Sequence, residues 1–185
     1  MIKILKPALI LFGIMTLLCG VFYTAAVTGV AQLLLPNQAN GSIITARTEA
    51  GTEEAYGSAL LGQVFTESEY LIGRPLGTTN LSPVSTEQKE LVQERVDWWH
   101  AFDYTNSIEI PLDLVTASGS GVDPNISPEA AEYQVKRIAK ERNISETRVR
   151  EVIKEYTTGR FLGFWGEPVV NVLKVNLTLD GLVIK

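Results

Sequence analysis

Between Pro7 and Ala46 the chain carries no aspartate, glutamate, lysine or arginine, and that gap dictates much of what it can become. Inside it, the apolar run from Ala8 to about Val30 can cross a hydrocarbon core of roughly 30 Å at about 1.5 Å per residue. The run predicts a cytoplasmic start and one membrane-spanning helix over residues 1–35, followed by one domain over residues 36–185. A cleaved signal peptide is the competing reading, since Lys3 and Lys6 make a basic start. Its apolar core should be about 7–15 residues, however, and this one is longer. Thr24-Ala25-Ala26 is a poor cleavage context, and Leu18 is too bulky beside Cys19 for lipoprotein processing.

Orientation follows from the flanks. Lys3 and Lys6 precede the apolar run, and no basic residue follows it until Arg47, so the start is expected in the cytoplasm and the domain outside. Fourteen basic and 21 acidic residues then belong to the external part, a formal charge of −7. An acidic domain repels nucleic acid and tolerates nearby cations, although acidity also serves plain solubility. The single cysteine, Cys19, lies inside the apolar run, which excludes an internal disulfide framework and a cysteine-based zinc cluster.

Beyond Pro36, the polar stretch Asn37 to Ser42 forms a short linker. Ile43-Ile44 and Ala59 to Phe65 read as brief strands among glycine turns. Ser85 and Gln88 have capping-box spacing, and Leu91, Val92, Val96, Trp99 and Phe102 follow on one helical face, with Trp98 off it. A second helix is expected from Ser127-Pro128, with Ala131, Val135, Ile138 and Ala139 inward. A third is expected from Ser145, with Val149, Val152, Ile153 and Tyr156 inward and Gly159 as its stop. Alternation from Val169 to Leu179 predicts a long strand, and Ile108-Glu109-Ile110 leading into Leu112 to Val115 suggests another. The class that holds both kinds of element is α+β: one N-terminal transmembrane helix and a single external mixed α/β domain.

The most unusual local sequence runs from Val115 to Pro128, with Thr116, Ser118, Gly119, Ser120, Gly121 and Asp123 at its centre. Small hydroxyl and glycine residues let backbone amides approach an anion or a partner's backbone; equally, they suit a tight loop capping the Ser127 helix. It is not a phosphate-binding loop of the lysine type, because no lysine follows the glycines. Nor is it a Gly-x-Ser-x-Gly elbow, because Ser120 has glycine at both immediate neighbours. A serine hydrolase would need a base, and the only histidine, His100, reads as packed or surface. No catalytic residue and no metal ligand set is expected. Arg137, Lys140, Arg142, Arg148 and Arg150, interleaved with Glu129, Glu132, Glu141, Glu146 and Glu151, read as a salt-bridged solvent face. Phe164-Trp165, framed by Gly163 and Gly166, is either a partner contact or a core plug.

Several motifs, in order, resemble the KdpC family. Gln38 to Ser42, Gly57 to Phe65 and Tyr70 through Gly73-Arg74-Pro75 match its opening. Leu114 to Gly121 with Asp123-Pro124 and Ile126-Ser127-Pro128 is similar to its central signature, continued by Gln134, Arg137-Ile138-Ala139 and Arg142. Gly166 to Leu173, then Asn176-Leu177 and Leu179-Asp180, resemble its close. The likeness covers nearly the whole chain. It departs after Arg74-Pro75, where many family members carry a longer polar insertion.

The resemblance implies an accessory subunit of a high-affinity potassium uptake complex in the cell membrane. Its expected partners are a potassium-conducting subunit, a P-type ATPase subunit and a small one-helix subunit. The chain itself has no Asp-Lys-Thr-Gly-Thr phosphorylation motif. The family is described as a catalytic chaperone that raises the ATP affinity of the ATPase subunit. The resemblance therefore marks Thr116, Ser118, Gly119, Ser120, Gly121, Asp123 and Gln134 as a loop that meets a partner or influences nucleotide. No cofactor of its own is expected, since ATP acts in the complex and the orientation argues against direct contact.

Overall fold

The computed structural model describes residues 2–48 and 51–184; the Lys3 side chain, counted above in the basic start, lies outside that description. The chain divides between Ile43 and Ile44 into two compact units. In the first, α1 (Ile2–Met15), a π-helical stretch (Thr16–Tyr23) and α2 (Thr24–Leu34) follow without a break. Ile4–Leu34 is a helix of 31 residues whose most apolar stretch has mean hydropathy 2.2 and no buried residue. By length and composition it can cross a membrane. At about 1.5 Å per residue its length exceeds a hydrocarbon core, which leaves room for tilt or projection.

Two of the three threonines of this helix return their hydroxyls to its own backbone. Thr16 Oγ1 donates to the Phe12 carbonyl at 2.8 Å, and Thr24 Oγ1 donates to Cys19, five residues back, at 3.2 Å. Neither hydroxyl is left facing hydrocarbon unpaired. Past Leu34, α3 (Pro36–Ala39) bends the chain, and the Gln32 and Asn40 amides pair reciprocally at 3.1 Å.

The second unit holds two small sheets. In one, β1 (Ile43–Arg47) lies between β2 (Glu53–Ser58) and β6 (Val183–Ile184), with Ala46 opposite Ile184. In the other, β5 (Val169–Asn171) lies between β3 (Asn125–Ile126) and β4 (Thr157–Thr158), both antiparallel to it. Three serine caps start the main helices where the sequence predicts. Ser85 Oγ accepts the Gln88 N–H at 3.2 Å before α4 (Thr86–Phe102), and Ser127 Oγ accepts the Ala130 N–H at 3.1 Å before α6 (Pro128–Glu141). Ser145 Oγ accepts the Arg148 N–H at 3.1 Å before α7 (Glu146–Glu155). Each such cap stabilises its helix by about 1 kcal/mol.

The core gathers where α6 meets α7. Val135 and Ile138 of α6 and Val149 and Val152 of α7 are buried together with Val170 of β5. Trp99 of α4 joins them, its indole N–H donating to the Leu114 carbonyl at 3.0 Å and its ring edge-on to Tyr133 at 5.7 Å. Trp98 is off that face, exposed and stacked on Phe102 at 4.5 Å.

The structure corrects five expectations. First, α7 stops at Glu155, capped at Tyr156, and not at Gly159. The long strand ends at Asn171, and residues Val172–Leu179 form a helix, α8, capped by Asn171 Oδ1 on the Lys174 N–H at 3.1 Å. Val172 and Val175 join the main core while Leu173 and Leu177 fill a second cluster with Ile44. A helix buried on most sides shows no polar face, so its 3.6-residue period is hidden behind β-branched residues. Ile108 to Val115 is not a strand either: Pro111 opens a short helix, α5 (Leu112–Val115). Ala59 to Phe65 forms turns rather than a strand. Finally, Arg137 is buried, and does not belong to a solvent face.

Candidate functional site

The loop between α5 and β3 is organised by its own hydroxyls. Ser118 Oγ accepts the N–H groups of Gly121 at 3.0 Å and Asp123 at 3.4 Å, and Ser120 Oγ accepts that of Val122 at 3.3 Å. The two Oγ atoms lie 3.3 Å apart. Asp123 Oδ1 accepts from the Asn125 backbone at 3.0 Å and its side chain at 3.2 Å, closing an Asx turn into β3. Thr116 Oγ1 donates to the Leu112 carbonyl at 2.7 Å and accepts from Arg74 Nη2 at 3.3 Å. Among the described residues no hydrogen bond joins His100 to either serine, and His100 is exposed. The hydroxyls act as struts of the loop here.

Two glycine turns from distant sequence clamp the loop. The Gly62 N–H donates to the Val122 carbonyl at 2.7 Å, and the Gly77 N–H donates to the Gly121 carbonyl at 2.9 Å. A Cβ on Gly62 would lie 2.7 Å from the Asp123 carbonyl oxygen. One on Gly121, whose φ is +72°, would lie 2.8 Å from the Gly77 carbonyl carbon. Backbone approaches this close admit only glycine. Beside the loop, Thr116, Ser118 and Gly119 line an open cleft of about 700 Å³ together with Thr79, Lys89 and Arg95.

Gln134 is not part of this loop. It is fully buried on α6, where its Nε2 donates to the Ile72 carbonyl at 2.9 Å and its Oε1 accepts the Ile72 N–H at 2.8 Å. Asn176 of α8 does the same for Leu71. Arg137 Nη1 donates to the carbonyls of Ser68 and Tyr70, and its Nη2 donates to Gln134 Oε1 at 2.7 Å. Burial pushes the Arg137 guanidinium down to about 10, which leaves it charged at neutral pH. Arg142 donates to the Glu69 carbonyl at 2.7 Å, the Leu179 carbonyl at 2.8 Å and Asp180 Oδ1 at 2.7 Å, with the Tyr70 ring beneath it. Side chains of α6 and α8, with Arg142, thus hold the backbone of residues 68–72 in place, beside the Tyr70 N–H bond to the Glu67 carbonyl at 3.2 Å. Burial first, then the Asp180 carboxylate, raises the Tyr70 phenol above its ordinary value, so it remains the donor in its 3.3 Å bond to Asp180.

Phe164 and Trp165 stand at a hairpin tip between β4 and β5, 69% and 68% exposed. Phe161 and Trp165 exchange both backbone hydrogen bonds, at 2.7 and 2.9 Å, while Leu162 and Gly163 turn through positive φ. Phe161 and Leu162 are exposed as well, and Arg160 pairs with Glu167 at 3.0 Å at the base of the tip. Exposed to this degree, Phe164 and Trp165 are not a core plug.

The comparisons with known proteins point one way. The profile of the KdpC family, described as the K+-transporting ATPase, c chain, matches residues 5–181. A Listeria monocytogenes protein named potassium-transporting ATPase KdpC subunit is 56% identical over 183 residues, spanning 97% of this chain and 96% of its own. Proteins of the same name from Clostridium perfringens and a Janthinobacterium species are 48% and 42% identical, covering 98% and 95% of this chain and 98% and 96% of theirs. Matched from its apolar helix to the end of α8, and by relatives of equal span, the chain belongs to the KdpC family, subunits of potassium-transporting ATPases.

Proposed function

We propose that the chain is a non-catalytic accessory subunit that assists assembly and coupling in an ATP-driven, high-affinity potassium uptake complex. It passes the cell membrane once, with its N-terminus in the cytoplasm and its α+β domain outside. The relatives' name supports membership of a potassium-transporting ATPase, and the resemblance described above supports the partners: a potassium-conducting subunit, a P-type ATPase subunit and a small one-helix subunit. The observation that carries the reading is the helix Ile4–Leu34, which carries no charged residue after Lys6 and has no buried residue in its apolar stretch. Such a helix needs lipid or other membrane helices around it, and alone it encloses no ion path.

In this orientation cytosolic ATP and the Ser118 loop lie on opposite sides of the membrane. The rise in ATP affinity described for the family then travels through the helix and the assembled complex, as a coupling free energy without contact. The domain's formal charge of −7 suits a position over the potassium entrance of the conducting subunit, where it raises local cation concentration. Protease added to intact spheroplasts tests the orientation. Cleavage of the domain without permeabilisation is expected; protection until permeabilisation would invert the orientation and favour direct nucleotide contact. Deleting residues 44–185 is expected to alter potassium affinity, transport rate or complex yield, and no change in any of them would overturn the coupling role.

A further inference from the structure

Three cations on one side of the domain have no counter-charge. Among the described residues Arg74, Lys89 and Arg95 form no ion pair, whereas Arg47, Arg142, Arg148, Arg150 and Arg160 each meet a carboxylate. Lys136, Arg137, Lys140, Lys154 and Lys174 form no ion pair among the described residues either; what sets Arg74, Lys89 and Arg95 apart is that they border adjoining hollows. Arg74 Nη2 donates to Thr116 Oγ1 at 3.3 Å and Arg95 Nη1 donates to the Val115 carbonyl at 2.9 Å, so consecutive residues hold both guanidinium groups. Both groups line one hollow of about 200 Å³, whose other walls include Phe65, Leu76 and Trp98. The Arg74 Nε is buried and donates to nothing among the described residues. Arg95 also borders the adjoining cleft, which it shares with Lys89 and Thr116.

We infer that Arg74, Arg95 and Lys89 form a receptor for a phosphate-type oxyanion. A planar carboxylate is satisfied by one guanidinium fork, while a tetrahedral group with several oxygens uses donors from more than one direction. Here two forks and an ammonium border adjoining hollows. The backbone N–H groups of Ser118 and Gly119, on the cleft wall, form no hydrogen bond among the described residues. An anion held there would neutralise cations that are otherwise uncompensated. The shared chemistry can come from free phosphate or from the headgroup of an anionic phospholipid, whose acyl end the apolar walls suit. The inference goes beyond the accessory role and does not depend on the orientation proposed for it.

The test uses the full chain in phosphatidylcholine nanodiscs, titrated with inorganic phosphate and followed by tryptophan fluorescence, since Trp98 lines the hollow. A saturable change is expected. Arg95→Gln and Lys89→Gln should each weaken binding about tenfold, the loss of one charge-assisted contact. Lys89 is exposed on α4, so its variant separates binding from folding. Repetition in discs containing phosphatidylglycerol distinguishes the sources: weaker apparent phosphate binding identifies a lipid headgroup as occupant, and unchanged binding identifies the free anion. Absence of a saturable response in the unaltered chain, or binding by Arg95→Gln and Lys89→Gln as tight as that of the unaltered chain, would overturn the inference.

Discussion

Asn176 on α8 hydrogen-bonds both backbone groups of Leu71, its Oδ1 accepting the N–H at 2.8 Å and its Nδ2 donating to the C=O at 2.9 Å. Gln134 on α6 repeats the arrangement one residue on, with Ile72. Two side-chain amides therefore do for residues 71–72 what a neighbouring strand does in a sheet, and they do it from helices on either side. Without them the buried backbone of Leu71 would be unpaired, which is costly.

Asn176→Leu keeps the size and removes both partners of Leu71. It should destabilise the full chain by about 2–4 kcal/mol, the cost of leaving a buried donor and acceptor unmade. Urea unfolding in detergent reads this directly. Gln134→Leu should act similarly, and the double variant should fall short of the sum because the two amides support adjacent residues.

Gly121→Ala and Gly119→Ala make a matched pair in the signature loop. At Gly121 a Cβ meets the Gly77 carbonyl carbon at 2.8 Å on a backbone with φ +72°; at Gly119 it meets nothing within 4 Å. The first substitution should cost about 1–3 kcal/mol and reduce complex yield. The second should leave both unchanged within about 0.5 kcal/mol. Equal effects would show that the Gly77 clamp does not set the loop's shape.

Phe164→Ser with Trp165→Ser tests the hairpin tip as a partner contact. Both side chains are exposed, so the variant should unfold at the same urea concentration as the unaltered chain, within about 0.5 kcal/mol. Co-purification of the other subunits should fall if the tip anchors the assembly, as exposed aromatics commonly do. Undiminished recovery would remove the tip from the interface.

Tyr70 and Tyr133 both carry phenols raised above their ordinary value, each chiefly by burial, with Asp180 and Asp103 respectively adding to it. In the unfolded chain these phenols lose their protons at lower pH than in the folded one. Their contribution is therefore complete below about pH 10 and declines as pH rises above it. Tyr70→Phe with Tyr133→Phe should flatten that alkaline decline, which urea midpoints on either side of pH 10 will register.

Helix starts were legible because they are local. A serine and the amide three residues later report each cap from the sequence alone, and Ser85, Ser127 and Ser145 all do so. The end of the chain misled for the same reason: Asn171 caps α8 in just this way, but alternating valines and leucines outweighed one asparagine. The roles of Arg137 and Asn176 were not legible locally. A charged or amide residue within a helix ordinarily marks the solvent side, and what reverses that here is a segment more than sixty residues away. The glycine and serine content of residues 116–121 announced a tight loop, while the clamps at Gly62 and Gly77 arise from long-range approach and left no mark nearby. The resemblance that grouped Gln134 with that loop joined residues the fold assigns to separate places.

The π-helical stretch Thr16–Tyr23 bears on how neighbours would meet the apolar helix. Its hydrogen bonds reach five residues back, so each residue advances the winding by less than in the α-helical segments before and after it. Ile2–Met15 and Thr24–Leu34 consequently wind out of phase with each other. A neighbour lying straight along this helix would touch one stripe of residues near the start and an unrelated stripe near the end. A cysteine crosslinking scan should therefore show its periodic pattern jump across Thr16–Tyr23, and two different companions could each claim one half of a single helix.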